Sequence, residues 1–141
     1  MARKAPTKRV DRDHAARYLT KARDLVADAT NQVELIAEFH PVSIGITIVH
    51  SAISYCDAVC IKAAGTKSRS GEHRDVVALV KSVLRTGAAD AQPLKDLAYL
   101  IGMKDEIAYG DATFRNEEAK DWLGRLRRVA ASAEKRFAGL A

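Results

Sequence analysis

The chain has few of the devices by which a small domain is stapled covalently or by metal. Two cysteines occur in 141 residues. Both, Cys56 and Cys60, lie four apart in a helix-patterned run, where a disulfide between them would strain the backbone. No CxxC or His-x3-His spacing accompanies them, so a four-ligand zinc site is not expected and the thiols are expected to be reduced and buried. Glycines are scattered, and none follows a strand in a GxGxxG or Walker setting, which removes the usual phosphate loops. No segment alternates with the period of two that marks a strand. The most apolar stretch, Val42 to Ala64, is interrupted by His50, Asp57 and Lys62, as expected of a buried core helix rather than a membrane span. The N-terminal region has no long apolar run, so no signal peptide is expected; with reduced thiols, this points to the cytoplasm.

What is present is charge and helical period. Arg3, Lys4, Lys8, Arg9 and Arg12 face a single acid, Asp11, so residues 1–12 carry most of the formal charge of +5 and the remainder is nearly neutral. Residues 1–12 are therefore expected to be a basic disordered tail, and 13–138 a single helical-bundle domain, large enough to bury a core unaided.

Apolar residues at three-four spacing place a first helix over about 13–29, with Ala15, Leu19, Ala22, Leu25, Val26 and Ala29 on its buried face. Residues 31–41 either extend it or form a separate turn, since Pro41 disfavours helix at His40. A second helix over about 42–64 is apolar on most of its surface and must be central; Gly65 closes it. A third takes Val76, Val77, Val80, Val83 and Leu84 on one stripe and ends before Gly87, with Ser70 able to cap its start. Asp90 and Pro93 open a fourth that runs to Tyr109 and stops at Gly110. Asn116, Glu117 and Glu118 begin the fifth, whose stripe includes Trp122, Leu126, Val129 and Phe137. The fold class is all-α, an antiparallel bundle of four to five helices.

Two polar features interrupt this pattern. Projected at 100° per residue, Lys104 falls near the middle of the fourth helix's apolar arc, where an amine needs an anion or an escape along its stem. Thr47, His50, Ser51, Ser54 and Asp57 recur as a polar row through the second helix, and buried polar groups must be satisfied. Asp57 is thus the expected partner of Lys104, with His50 a turn or two away and the Tyr109 hydroxyl free to donate at the helix end. The row also fits a core network with no ligand, and His73 fits a capping arrangement.

The alanine-rich first helix with Tyr18, the run His50-Ser-Ala-Ile-Ser-Tyr-Cys-Asp57-Ala, the Ser70-Gly-Glu-His73 opening and Lys104-x4-Tyr109-Gly-Asp together resemble a HEPN domain over residues 12–138. The resemblance implies a bundle of four or five helices that pairs into a homodimer. It also implies work on RNA or nucleotides, often beside a nucleotidyltransferase partner; no cofactor or metal is expected. Active ribonucleases of that family carry arginine and, four to six residues on, histidine near the positions of Lys104 and Tyr109. Lysine lacks the planar fork that grips phosphate twice, and tyrosine is a poor base near neutrality. The expectation is a non-catalytic binding module that engages a nucleotide, RNA or partner protein around Lys104, Tyr109, Asp57 and His50. The alternatives are a metal-independent ribonuclease toxin of a toxin–antitoxin pair and a purely structural assembly domain.

Overall fold

The computed structural model describes residues 6–69, 73–111 and 113–140, and the side chain of His73 lies outside that description, as does the Ser70–Glu72 segment expected to cap the third helix. The protein is an all-α helical bundle with one small sheet. In chain order it comprises strand β1 (Thr7–Arg9), a 3-10 turn, α1 (Ala15–Leu35), α2 (Pro41–Ala64), β2 (Thr66–Ser68), α3 (His73–Val83), a second 3-10 turn, α4 (Ala91–Gly102), α5 (Lys104–Tyr109) and α6 (Asn116–Gly139).

Helix α2 is the axis of the core. Its side chains from Ser51 to Ile61 are buried apart from the half-buried Ile53. By length and composition this helix could cross a membrane, and 72% of its most apolar window is buried inside the bundle. His40 is held extended by the proline that follows it, and Pro41 sits in the first turn, where its missing N–H is no loss. At the other end Gly65 adopts the left-handed conformation (φ 63°) and donates back to the Ile61 carbonyl. Small residues set the approach of α1: Ala22, Ala29 and Ala52 are fully buried, and Ser51 Oγ donates to the Ala22 carbonyl at 2.9 Å.

One choice the sequence leaves open is decided and two expectations are corrected. Residues 31–35 continue α1, because nothing between Asn31 and Leu35 breaks it before the proline takes effect at His40. The disordered tail expected through residue 12 is, from Thr7, a strand paired antiparallel with Thr66–Ser68, so strands do occur. Each is three residues long, too short to show a period. Arg12 then caps α2, its guanidinium donating to the Lys62 and Ala63 carbonyls at 3.0 and 2.8 Å, where the helix leaves acceptors unmet and its dipole favours a cation. Finally, the fourth helix is not continuous. It breaks after Gly102 at Met103, whose N–H is shared between the Tyr99 and Leu100 carbonyls.

The strongest polar joint is between α4 and α6. Asp96 is fully buried and takes bonds from Arg128 (2.7 and 3.0 Å), Arg125 (3.2 Å) and Gln92 (3.1 Å). Burial alone would favour its protonated form, but the bonds from Arg128 and Gln92 and the nearby arginine charges hold its carboxyl below the usual range. A second joint ties α1 to α6: Arg23 grips Glu134 in a fork (2.5 and 2.7 Å), and the buried Tyr55 hydroxyl bonds the same carboxylate. Burial and that negative charge push the Tyr55 phenol up to about 12.

Asp96→Ala is expected to remove roughly 3 kcal/mol of stability, the scale for breaking a buried, arginine-bonded carboxylate. Urea unfolding would measure it; a loss below about 1 kcal/mol, the scale of an exposed pair, would show that the arginines hold nothing together. Because folding lowers the Asp96 and Glu134 pKa values, their contribution is complete above the range of unfolded carboxyls and drains away as pH falls through the folded values.

Candidate functional site

The four residues singled out from the sequence do not form one pocket. Asp57 and His50 share a face of α2, seven residues apart, which at 1.5 Å per residue separates them by about 10 Å. Asp57, nearly buried, pairs with Lys67 of β2 at 3.8 Å, not with Lys104. Burial pushes its carboxyl up to about 6, against the pull of Lys67 and Lys21. Tyr109 ends α5 with 86% of its surface exposed. The break at Met103 explains the mistaken pairing, since a projection carried through it from Leu97 puts Lys104 on the wrong side of the helix.

Lys104 does act on His50, through its charge. The histidine is exposed on α2, and its pKa is lowered by partial burial, by Lys21 of α1 and by Lys104 of α5. Its imidazole is therefore neutral near pH 7, with two ammonium groups close enough to repel a proton. The rest of the polar row on α2 serves the backbone where its bonds are seen: Thr47 Oγ1 donates to the Ser43 carbonyl at 2.9 Å, as Ser51 does to Ala22.

Sequence reasoning missed the other half of this face. In the β1–β2 register Lys8 stands directly opposite Lys67. Partners directly opposite share a face, and like charges so placed destabilise a ladder. The Lys67 ammonium lies 5.1 Å from the centre of the Tyr18 ring, beside Asp57. Lys21, one turn of α1 beyond Tyr18, is felt by both Asp57 and His50. A row of basic residues thus runs from the small sheet along α1 and α2 to the start of α5: the lysines Lys8, Lys67, Lys21 and Lys104, with the neutral His50 and the Tyr18 ring among them. Lysines in a polar loop and a basic tail carry no signal of this in sequence, because only the strand pairing brings them together.

Nothing in this region suits a metal or a reactive thiol. Among the described residues no group of three or more His, Cys, Asp or Glu is placed to hold a metal ion. Cys56 and Cys60 are free and buried, and the neighbouring Cys60 thiol, burial and the Asp57 charge push the Cys56 thiol well up, away from thiolate. No protein-family model, curated protein or solved structure matches the chain.

Asp57 makes the site's pH response opposite in sign to that of the carboxylate joints. It ionises near pH 6 when folded, against 3.8 for an ordinary aspartate, so its contribution favours the fold below the lower value and is lost as pH rises through 6. Asp57→Asn should therefore stabilise the protein at pH 7.5, on the order of 2 kcal/mol, with the gain vanishing at pH 4. Urea midpoints at the two pH values measure this. Destabilisation at pH 7.5 would mean that the Lys67 pair outweighs the cost of burying the charge.

Proposed function

We propose that this chain is a HEPN-like helical-bundle module that binds the phosphates of RNA or of a nucleotide along the cationic row, and that it acts as a binding module rather than an enzyme. The observation that carries this reading is the placement of Lys8 opposite Lys67. Two like charges facing across a three-residue ladder weaken the protein that bears them, and an anionic ligand removes the cost. Tyr18 adds an aromatic face among the cations, the combination by which single-stranded nucleic acid is held without base readout. The HEPN resemblance of Lys104-x4-Tyr109 places the same end of the row in the expected chemistry.

Pairing with a second copy belongs to the same reading. Leu35, Ile36 and Val42 are exposed around the turn between α1 and α2, and Leu35 is 75% open to solvent. A nucleotidyltransferase remains the partner that the family resemblance implies. A second reading, a metal-independent ribonuclease, is favoured by one specific observation: a neutral His50 beside Lys104 supplies a base next to a cation able to stabilise phosphate charge. Cleavage of RNA that is lost in both His50→Ala and Lys104→Ala would establish it.

Titration of a fluorescent single-stranded RNA and of a nucleotide panel tests the binding reading. The double substitution Lys8→Ala, Lys67→Ala is expected to weaken binding about tenfold or more and to flatten its salt dependence by roughly 0.7 per lost phosphate contact. Lys8→Ala alone should leave folding stability unchanged or higher, as a purely structural lysine would not. Binding should also tighten as pH falls through the His50 range, because a bound phosphate favours the protonated ring. Affinity indifferent to the double substitution would end this reading.

A further inference from the structure

Three of the chain's aromatic rings gather around a space that the lysine row does not use. Between the end of α4, α5 and the first turns of α6 lies a half-open cleft of about 100 Å³, backed by Trp122, flanked by Tyr99 and Phe114, and carrying the carboxylates of Glu106 and Glu118. Among the described residues no basic side chain lines it. Trp122 is almost fully buried, while Tyr99 and Phe114 remain partly open. The rings fix one another: Tyr99 meets Trp122 edge to face with centres 6.1 Å apart, and Phe114 leans on Trp122 at 4.5 Å.

Close approaches at two glycines hold the walls. A Cβ on Gly45 would come within 2.9 Å of Phe114 Cε1, so the bare backbone of α2 is what lets that ring settle there. A Cβ on Gly110 would stand 2.6 Å from the Glu106 carboxyl carbon, so the end of α5 leaves room for that carboxylate to fold back. Glu118 Oε2 accepts the Arg115 N–H at 2.9 Å, which fixes its side chain, and among the described residues its Oε1 and both Glu106 carboxylate oxygens take no hydrogen bond. The Arg125 guanidinium stacks on Tyr99, 4.0 Å from the ring centre, without lining the cleft. That ring thus already holds one cation, whose charge is matched by Asp96 and Asp121 at 3.2 and 3.3 Å.

We propose that this cleft binds an alkylated ammonium group, its methyls against Tyr99 and Phe114 and its charge shared between Glu106 and Glu118. Aromatic walls with carboxylates beside them suit a cation that is weakly hydrated and carries no N–H of its own to satisfy. A plain ammonium keeps its water, and an anion is repelled by both acids. The space is roughly three times one water's share of the liquid, the size of a trimethylammonium head, and its open side lets the rest of the ligand extend into solvent. The short α5 therefore parts two opposite chemistries, Lys104 acting on His50 and Glu106 serving the cleft. This site does not depend on the function proposed for the lysine row.

Trp122 is the chain's one tryptophan, so its emission reports what enters the cleft. Choline, Nε-trimethyl-lysine, unmodified lysine and dimethylbutanol, the neutral carbon isostere of choline, are titrated at constant ionic strength into the whole chain. Choline and trimethyl-lysine are expected to give a saturable change, with the neutral isostere and lysine weaker by about tenfold, the scale of a cation–π contact supported by carboxylates. Tighter choline assigns a free small molecule, and tighter trimethyl-lysine a methylated side chain. Joint Glu106→Gln and Glu118→Gln substitution, which keeps an amide oxygen for the Arg115 N–H, should weaken both by about tenfold, and Tyr99→Leu by about threefold or more. The Lys8→Ala, Lys67→Ala protein should respond as the parent does. No saturable change, an isostere that binds as tightly as choline, or indifference to the joint carboxylate substitution would overturn the proposal, and the isostere comparison needs no altered protein.

Discussion

From Ile44 to Ile61 helix α2 leaves little of its surface to water, so the remaining elements are arranged by the need to cover it. Helix α1 covers one side through alanines and a serine-to-carbonyl bond, which permits close approach. Helix α6 covers another with Trp122, Leu126 and Val129, and α3 and α4 close the remainder. The one exposed stripe of α2 is the part that carries His50. Coverage of a greasy axis therefore decides where polar chemistry can be displayed, and it leaves a strip of surface between α1 and α5.

The two electrostatic regimes of the molecule follow from that arrangement. On the α6 side, carboxylates are enclosed and matched by arginines whose planar forks satisfy both oxygens: Asp96 with Arg125 and Arg128, Glu134 with Arg23. These joints lock helices together. On the α1 side Lys21 and Lys67 are compact charges on flexible stems, and burial raises the Asp57 carboxyl beside Lys67 to about 6. Locking helix to helix thus falls to Arg23, Arg125 and Arg128, whose planar geometry lysine does not reproduce.

Much of the fold was legible because its punctuation is local. Pro41, Gly65, Asn116 with Glu118, and the stripes of α2 and α6 each act within a turn or two of themselves, and the all-α class followed from them. Glu118 indeed bonds the Arg115 N–H at 2.9 Å at the start of α6. What was not legible depends on distant partners or on a change of register. Met103 shifts the phase of everything after it, so Lys104 could not be placed by projection from Leu97. Thr7–Arg9 has no strand period and becomes a strand only because Gly65 turns the chain to meet it. Asp96, one position before the apolar Leu97, looks in sequence like a solvated residue; its burial is created by arginines on a helix some thirty positions away.

The latch at the start of the fold has a practical bearing on how the protein is handled. Val10 donates to the Gly65 carbonyl and Arg69 to that of Pro6, so the backbone ahead of Thr7 is delivered to the edge of the small sheet, beside Lys8 and Lys67. Any peptide fused there emerges next to the lysine row at high effective concentration. The last turns of α6 lie at the same end of the bundle, where Lys62 Nζ donates to the Phe137 carbonyl at 2.7 Å, so an acidic tag at either terminus emerges on the side that carries the small sheet.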